Sequence, residues 1–428
     1  MRRQRKKLLG GMVLSAALVL SAFSGGAGAV DESTNTSSSS DKLRVLIQPD
    51  KSVRSLKASL KRQLGERHDF DDLGFTTEVT EEELKKLTSD KSLKVTLVNT
   101  LSIAEFQEEG RVEAMATPSD RTPWGIEAIY RNSSIQSTSG GKGIRVAVLD
   151  TGAYTAHPDL SANVEQCYNF TTSSPVVNGC ADGNGHGTHV AGTILANGGG
   201  GSGIYGVAPE AKLWAYKVLS DGGSGYADDI AYAIRYAADQ GVSKGVKVVI
   251  SMSLGSSAKD SLIANAVTYA QQRGALVVAA AGNSGPSANT IGYPGGLKDA
   301  VAVAALENVQ QNGTYRVADF SSRGNPSTAG DYVIQERDVE VSAPGRSVES
   351  TWPNGGYNTI SGTSMATPHI SGLAAKIWAS NPTWSNNDVR AELQKRAKAN
   401  DIKGGISAGT GDDIASGFGF PTVQAGDQ

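Results

Sequence analysis

An α/β fold, with a mostly parallel central sheet flanked by helices and a small α+β unit ahead of it, is what this 428-residue sequence predicts. Three observations carry that prediction. Five apolar runs suit strands buried on both faces: IRVAVLD (144–150), KLWAYKVL (212–219), VKVVISMSL (246–254), ALVVAAAGN (275–283) and AVAVAAL (300–306). Between them, YADDIAYAIRYAADQG and KDSLIANAVTYAQQRG repeat apolar residues at helical spacing and run to Gly241 and Gly274 as helix stops. Upstream, residues 42–115 have a different character, rich in Lys and Glu, poor in glycine and free of cysteine.

Taken in order, the chain opens with MRRQRKKLLGGMVLSAALVLSAFSGGAGA. Five cationic residues precede an apolar run of signal length, and Ala27-Gly28-Ala29 fits a cleavage site. Residues 1–29 therefore read as an export signal rather than a membrane anchor, since no later segment reaches spanning length. VDESTNTSSSSD (30–41) is a polar linker. Within 42–115, KLRVLIQ and LKVTLVNTL alternate as strands, while SVRSLKASLKRQL and TEEELKKLTSD read as helices. Thr80, followed three residues on by Glu83, makes a capping-box pattern. The character changes again at ATPSDRTPWGIEAIY, where strand–helix alternation begins.

Charge narrows the function. From residue 120 onward, 26 Asp and Glu face 22 Lys and Arg with no basic stripe, which argues against nucleic acid as a partner. Export also changes the reading of the two cysteines. An oxidising exterior favours pairing of Cys167 with Cys180 over two free thiols, and no CxxC or HExxH supports a zinc site.

In an open α/β sheet the working groups gather at the carboxyl ends of the strands. Asp150 ends the first run, just before Gly152. His186 opens a small-residue helix in NGHGTHVAG, where metal ligation with His189 is a rival reading that lacks a third ligand at suitable spacing. Asn283 closes the fourth run, and Ser364, in GTSMA, stands where the apolar stretch ISGLAAKIWA is about to begin. Helix capping explains an Asp or a Ser taken singly. The set has a chemistry of its own. A serine hydroxyl needs an adjacent imidazole to take its proton, the imidazole needs a carboxylate to fix its tautomer, and the oxyanion needs preorganised donors.

DTG, HGTHVAGT, SLG, AAGN and GTSMATPH, in this order across roughly residues 116–428, resemble the subtilisin family of serine endopeptidases, the subtilases. TPWGIEAIY, the two cysteines, GSGYADDIA, NGTYRVADFSSRG and GDDIASGFGF carry a likeness to its secreted Bacillus members of cold-adapted and sphericase type. The resemblance implies that Asp150 orients, that His186 acts as general base and then general acid, and that Ser364 attacks the scissile carbonyl. Asn283 and the Ser364 N–H would stabilise the oxyanion. Ser253, Leu254 and Gly255 would pair with an extended peptide, and Ala280, Ala281, Gly282 and Gly292 would line the pocket for the residue before the cut. Ser284 stands where many relatives carry an acid, so a large apolar residue is expected there, with broad tolerance.

By the same resemblance residues 30–115 are an inhibitory, chaperoning prosegment rather than a permanent second domain. It would be cut from a catalytic domain spanning 116–428 after Met115, with sites up to Ser119 left open. Structural calcium is implied, with Asp159 as carboxylate ligand, Asp120 near the N-terminal ligand and a backbone carbonyl near Ile204. The loop ANGGGGSGIYG is longer than expected and leaves the asparagine ligand unassigned. Asp331, Asp338, Asp412 and Asp413 read as solvated charge before further ion sites. The expected partners are protein and peptide substrates and the chain's own prosegment; the protein is expected to be an extracellular monomer. A protease selective for paired basic sites would need acidic residues in SLGSSAKD and AAGNSG, and these do not supply them. An α/β-hydrolase esterase would need GxSxG with the serine first in order. A binding module is opposed by the presence of every catalytic residue type.

Overall fold

The computed structural model describes residues 42–50, 54–104 and 115–427; the leader and linker of the sequence reading lie outside these residues. The central sheet forms as its apolar runs require. Its strands lie in the order Thr314–Val317, Ala300–Gln311, Leu276–Ala280, Lys247–Met252, Ile144–Asp150, Lys212–Lys217, Val164–Asn169 and Val176–Val177. Val341–Pro344 also pairs with Ala300–Gln311. The interior pairs are parallel, and only the flanking strands Thr314–Val317 and Val176–Val177 pair antiparallel.

Helices cover both faces, which is why the central strands carry apolar residues on both sides. Helices His186–Leu195 and Thr363–Ser380 pack on one face, around Val146, Val278 and Val303. Ala227–Lys244 and Ser261–Gln272 cover the other, around Ala147, Ile250 and Val277. The strand Ile144–Asp150 sits where the winding reverses, with Lys212–Lys217 on one side and Lys247–Met252 on the other. Ligand sites in such sheets open at that reversal, beyond the carboxyl ends of the strands.

One helix stop differs from expectation. Helix Ala227–Lys244 runs through Gly241 and ends at Gly245, whose φ of 63° gives the left-handed cap. Gly241 is instead a packing position, because a Cβ there would meet Val248 Cγ2 at 2.8 Å. The stop at Gly274 holds, with φ 84° just past Ser261–Gln272.

Residues 42–97 form an antiparallel sheet ordered His68–Asp69, Phe75–Val79, Leu43–Pro49, Leu93–Leu97, with helices Arg54–Leu64 and Glu81–Ser89 packed on it. The capping box at Thr80 and Glu83 is present. The expected strand LKVTLVNTL breaks after Leu97. A separate strand, Thr100–Ile103, takes its last two residues, Thr100 and Leu101, and runs on between Ser224–Tyr226 and Leu254–Gly255. Among the described residues no helix is long and apolar enough to cross a membrane.

Candidate active site

Asp150 stands at the tip of its strand with no exposed surface, and its Oδ1 accepts two hydrogen bonds of 2.7 Å, from Thr151 N–H and from His186 Nδ1. His186 is the first residue of its helix and is equally buried. The backbone explains the glycines of this motif: a Cβ on Gly187 would lie 2.1 Å from the Gly152 carbonyl oxygen. Strand tip and helix start thus touch backbone to backbone. A carboxylate on Nδ1 leaves Nε2 as the nitrogen that can exchange a proton with a substrate-side hydroxyl.

Ser364 is the second residue of helix Thr363–Ser380, so its N–H is one of the donors with no intrahelical partner. Pro368 lies further inside the helix than a first-turn position. It has no N–H to give to the carbonyl four residues back, and that carbonyl belongs to Ser364. Ser253 Oγ donates to the freed oxygen at 2.8 Å. The Ser364 hydroxyl in turn donates to the Ser253 carbonyl at 3.0 Å. The two serines are thereby locked together, a link that sequence spacing gave no means of seeing.

Asn283 is oriented by Thr363, whose N–H and hydroxyl donate to its Oδ1 at 3.0 and 2.9 Å. This turns Nδ2 toward the carbonyl oxygen of Ala104, 2.6 Å away. The Ser364 N–H points at the same oxygen, at 3.3 Å. Two donors converging on one carbonyl beside a serine hydroxyl are the elements of an oxyanion hole.

The segment leading to Ala104 is held as a strand. Ile103 and Ser102 register with Leu254 and Gly255, while Ser102, Leu101 and Thr100 register with Ser224, Gly225 and Tyr226. Ala104 N–H donates to the Ser253 carbonyl at 3.2 Å, and Ala227 N–H to the Asn99 carbonyl at 2.9 Å. Ser253, Leu254 and Gly255, expected to pair with an extended peptide, form one of the two edges that hold this strand. The second, in GSGY, was missed, although a glycine-bearing segment just before a helix was a usable signal. Ala281 N–H and Gly292 N–H tie the fourth strand's end to its neighbours, and Gly282 has its φ at 101°.

His189 is not brought to His186 as a second metal ligand. Its Nε2 bonds the Val348 carbonyl at 2.9 Å, and burial pushes its pKa down to about 3, so it is a neutral core imidazole. Among the described residues, the metal-like grouping is His68 with Asp228 and Asp229, and guanidinium groups fill it. Arg67 donates twice to Asp229, at 2.9 and 3.0 Å; Arg44 donates to Asp229 at 2.9 Å and Asp228 at 3.3 Å. Burial works to raise the Asp229 pKa, but bonds from His68 and Arg67 overcome it and hold it below the usual value. Asp228 is raised, by burial and by the Asp229 charge beside it. This cluster fastens residues 42–97 onto the start of helix Ala227–Lys244.

Asp159 is fully buried. Its Oδ2 accepts from Ile204 N–H and from the Tyr357 hydroxyl, both at 2.9 Å, while Oδ1 has no hydrogen-bond partner among the described residues. A Cβ on Gly199 or Gly203 would fall within 2 Å of that oxygen, 1.9 and 1.8 Å respectively. Arg121 joins the same loop, accepting from Tyr205 N–H and donating to the Gly203 carbonyl. An orphaned carboxylate oxygen ringed by glycine-loop backbone suits a hard cation. Asp120, by contrast, spends Oδ1 on Thr122 N–H at 3.0 Å. Cys167 and Cys180 are joined in a disulfide, the pairing expected from the sequence.

The model of the Subtilase family, peptidase S8, matches residues 141–419. The chain belongs to the subtilase family. It is therefore a serine peptidase, and the subtilase likeness extends beyond that segment. "Subtilisin" of Bacillus sp. (strain TA39) is 59% identical over 397 residues, covering 92% of this chain and 94% of the relative. "M-protease" of Shouchella clausii (strain KSM-K16) is 36% identical over 402 residues, with 92% and 94% covered. Among solved structures, "Sphericase" superposes with a TM-score of 0.71 at 69% identity, covering 72% of this subtilase and 99% of that chain.

Proposed function

We propose that this subtilase is a secreted, broad-specificity serine endopeptidase made as an autoprocessed zymogen. The observation that carries the proposal is the Ala104 carbonyl, held by Asn283 Nδ2 at 2.6 Å and Ser364 N–H at 3.3 Å at the end of a strand bound on both edges. That is how a protease holds the acyl side of a peptide it cuts, by adding it as a strand and cradling its last carbonyl.

In the reaction, His186 takes the Ser364 proton as the hydroxyl adds to the scissile carbonyl, and Asp150 stabilises the imidazolium. The oxyanion that forms takes hydrogen bonds from Asn283 and from the Ser364 N–H. His186 then protonates the leaving amine, and a water, deprotonated in the same way, hydrolyses the acyl-enzyme. Ser253, Leu254, Gly255 and the Ser224–Tyr226 edge align the substrate. Ala280, Ala281, Gly282 and Gly292 would form a roomy pocket preferring a large apolar side chain.

Residues 1–29 would be the export signal and 30–115 the prosegment region ahead of the catalytic domain 116–428. The cradle favours a first cut after Ala104. The Met115 carbonyl accepts from Tyr357 N–H at 2.8 Å instead, which favours a later, secondary trimming near that residue. Calcium would be held by Asp159 with backbone oxygens of the loop around Ile204, where its charge would neutralise the buried carboxylate and stiffen the loop. Asp120 remains a proposed neighbour of that site. The working enzyme would be a monomer acting on proteins and peptides outside the cell.

The test uses protein purified from culture medium, treated with a serine-directed sulfonyl fluoride while casein hydrolysis is followed. An adduct on Ser364 with activity lost supports the proposal. A folded, calcium-loaded protein that takes no label and cuts no casein overturns it.

A further inference from the structure

We infer that Asp182 is a positioning residue for the Asp150–His186 pair. The inference rests on the proposed catalytic roles of those two residues. Asp182 lies in the loop before the His186 helix and is 8% exposed. Its Oδ1 accepts from the Thr151 hydroxyl at 2.9 Å, from Gly185 N–H at 2.8 Å and from Asn184 N–H at 3.1 Å. Its Oδ2 accepts from Thr188 N–H at 2.9 Å and from the Thr188 hydroxyl at 2.6 Å. One carboxylate is thus bonded to both chain segments that carry the acid–base pair.

Thr151 makes the connection to the chemistry. Its N–H donates to Asp150 Oδ1, the oxygen that also receives His186 Nδ1, and its hydroxyl oxygen accepts from Gly187 N–H at 2.9 Å. Asp182 therefore fixes the rotation of Thr151, and Thr151 fixes both Asp150 and the first turn of the helix. An outer clamp braces the same loop: Lys217 Nζ bonds the Thr151 carbonyl and Asp221 Oδ1, each at 2.6 Å, and Asp221 Oδ1 accepts from Gly183 N–H at 3.1 Å. The disulfided Cys180 lies two residues upstream, and its carbonyl accepts from Ala153 N–H at 2.9 Å. The His186–Asp150 distance is set where strand tip and helix start meet, and displacements there of about 1 Å can cost about 100-fold in rate.

Helix capping alone is the simpler role, and it makes a different forecast. Asn caps a helix about as well as Asp, so a cap would tolerate Asp182→Asn. A positioning carboxylate would not, because the Asn amide turns N–H groups toward at least one of the donors that Asp182 now satisfies on both oxygens.

The experiment compares wild type, Asp182→Asn, Thr151→Val and Ser364→Ala by steady-state kinetics on one peptide substrate. The low-field proton resonance of His186 Nδ1–H is followed in the Ser364→Ala background. The expected result is a kcat lowered about 10- to 100-fold by Asp182→Asn with KM within twofold, and a shifted or broadened low-field resonance. Thr151→Val, which cuts the link and leaves the cap, should lower kcat in the same direction even if Asp182→Asn fails to fold. A folded Asp182→Asn with kcat within threefold of wild type and an unmoved resonance overturns the inference, as does unchanged kcat in Thr151→Val. Full activity in Ser364→Ala would instead indict the catalytic assignment beneath it.

Discussion

The side-chain amide of Asn283 donates to the carbonyl of Ala104 at 2.6 Å, across 179 residues of sequence. The chain's own N-terminal region thereby presents its peptide to the proposed oxyanion donors. Thr363 fixes the amide from the other side with two bonds to Oδ1, so the donor is held before any substrate arrives. A preorganised donor costs no reorganisation when charge develops, which is where its catalytic value lies.

Replacing Asn283 with Leu should therefore lower kcat far more than it raises KM. The size expected is roughly 100- to 1,000-fold, a magnitude taken from the corresponding asparagine of subtilisin itself rather than from these distances. Steady-state kinetics on a chromogenic peptide checks it. A KM effect with kcat unchanged would place Asn283 in ground-state binding.

Chelation should destabilise the protein through Asp159. With Oδ1 orphaned and buried, removing a cation would leave an uncompensated charge, and the loop at 199–204 should loosen. Melting of Ser364→Ala protein, which cannot digest itself, should fall by several degrees in EDTA and recover with added Ca²⁺. Asp159→Asn should melt lower from the start and respond little to EDTA. Equal EDTA sensitivity in both proteins would move the cation site elsewhere.

Acid should weaken the fold through two buried histidines. Burial pushes His189 down to about 3 and His369 to about 4. Both fall below the unfolded value near 6.5, so between about pH 6.5 and 4 the unfolded chain binds protons that the folded one does not. Stability is then lost as pH falls through that window, at up to about 1.4 kcal/mol per pH unit for each histidine. Urea unfolding of Ser364→Ala protein from pH 7 to 4.5 measures the slope. His369→Gln should reduce it by about the contribution of one histidine; an unchanged slope would remove His369 from this account.

What could be read from sequence follows from where the information is stored. The five central strands were legible because burial on both faces demands unbroken apolar runs such as AVAVAAL. Asp150, His186, Asn283 and Ser364 stood out because small residues must surround them, Gly187 lying against the Gly152 carbonyl being one physical reason. Asp182 did not, since an Asp four residues before a histidine looks like any loop acid until Thr151 and Thr188 are folded against it. Gly241 misled for a related reason: a glycine chosen for close packing on Val248 looks the same in sequence as one chosen for a turn. The strand Thr100–Ile103, which begins at the end of LKVTLVNTL, did not stand out as separate because its partners, Ser224–Tyr226 and Leu254–Gly255, lie more than a hundred residues away.

That strand sets apart two processing schemes. If cleavage begins where the carbonyl is cradled, the first product has Glu105 at its N-terminus, and trimming toward residues 116–120 follows. If Ala280, Ala281, Gly282 and Gly292 line the pocket proposed above, Ala104→Asp would place a charge in it and should slow the first cut by 100-fold or more, on the order of 3 kcal/mol for an unpaired buried charge. Ala104→Leu, which fills the same pocket with apolar surface, should speed it. Met115→Asp should leave the first cut alone and delay only the trimming, because the Met115 carbonyl is bonded to Tyr357 N–H rather than to Asn283. A time course of N-termini by mass spectrometry distinguishes these outcomes. A first product beginning at Ala116, slowed by Met115→Asp and indifferent to Ala104→Asp, would mean that the strand at Thr100–Ile103 inhibits without being the initial substrate.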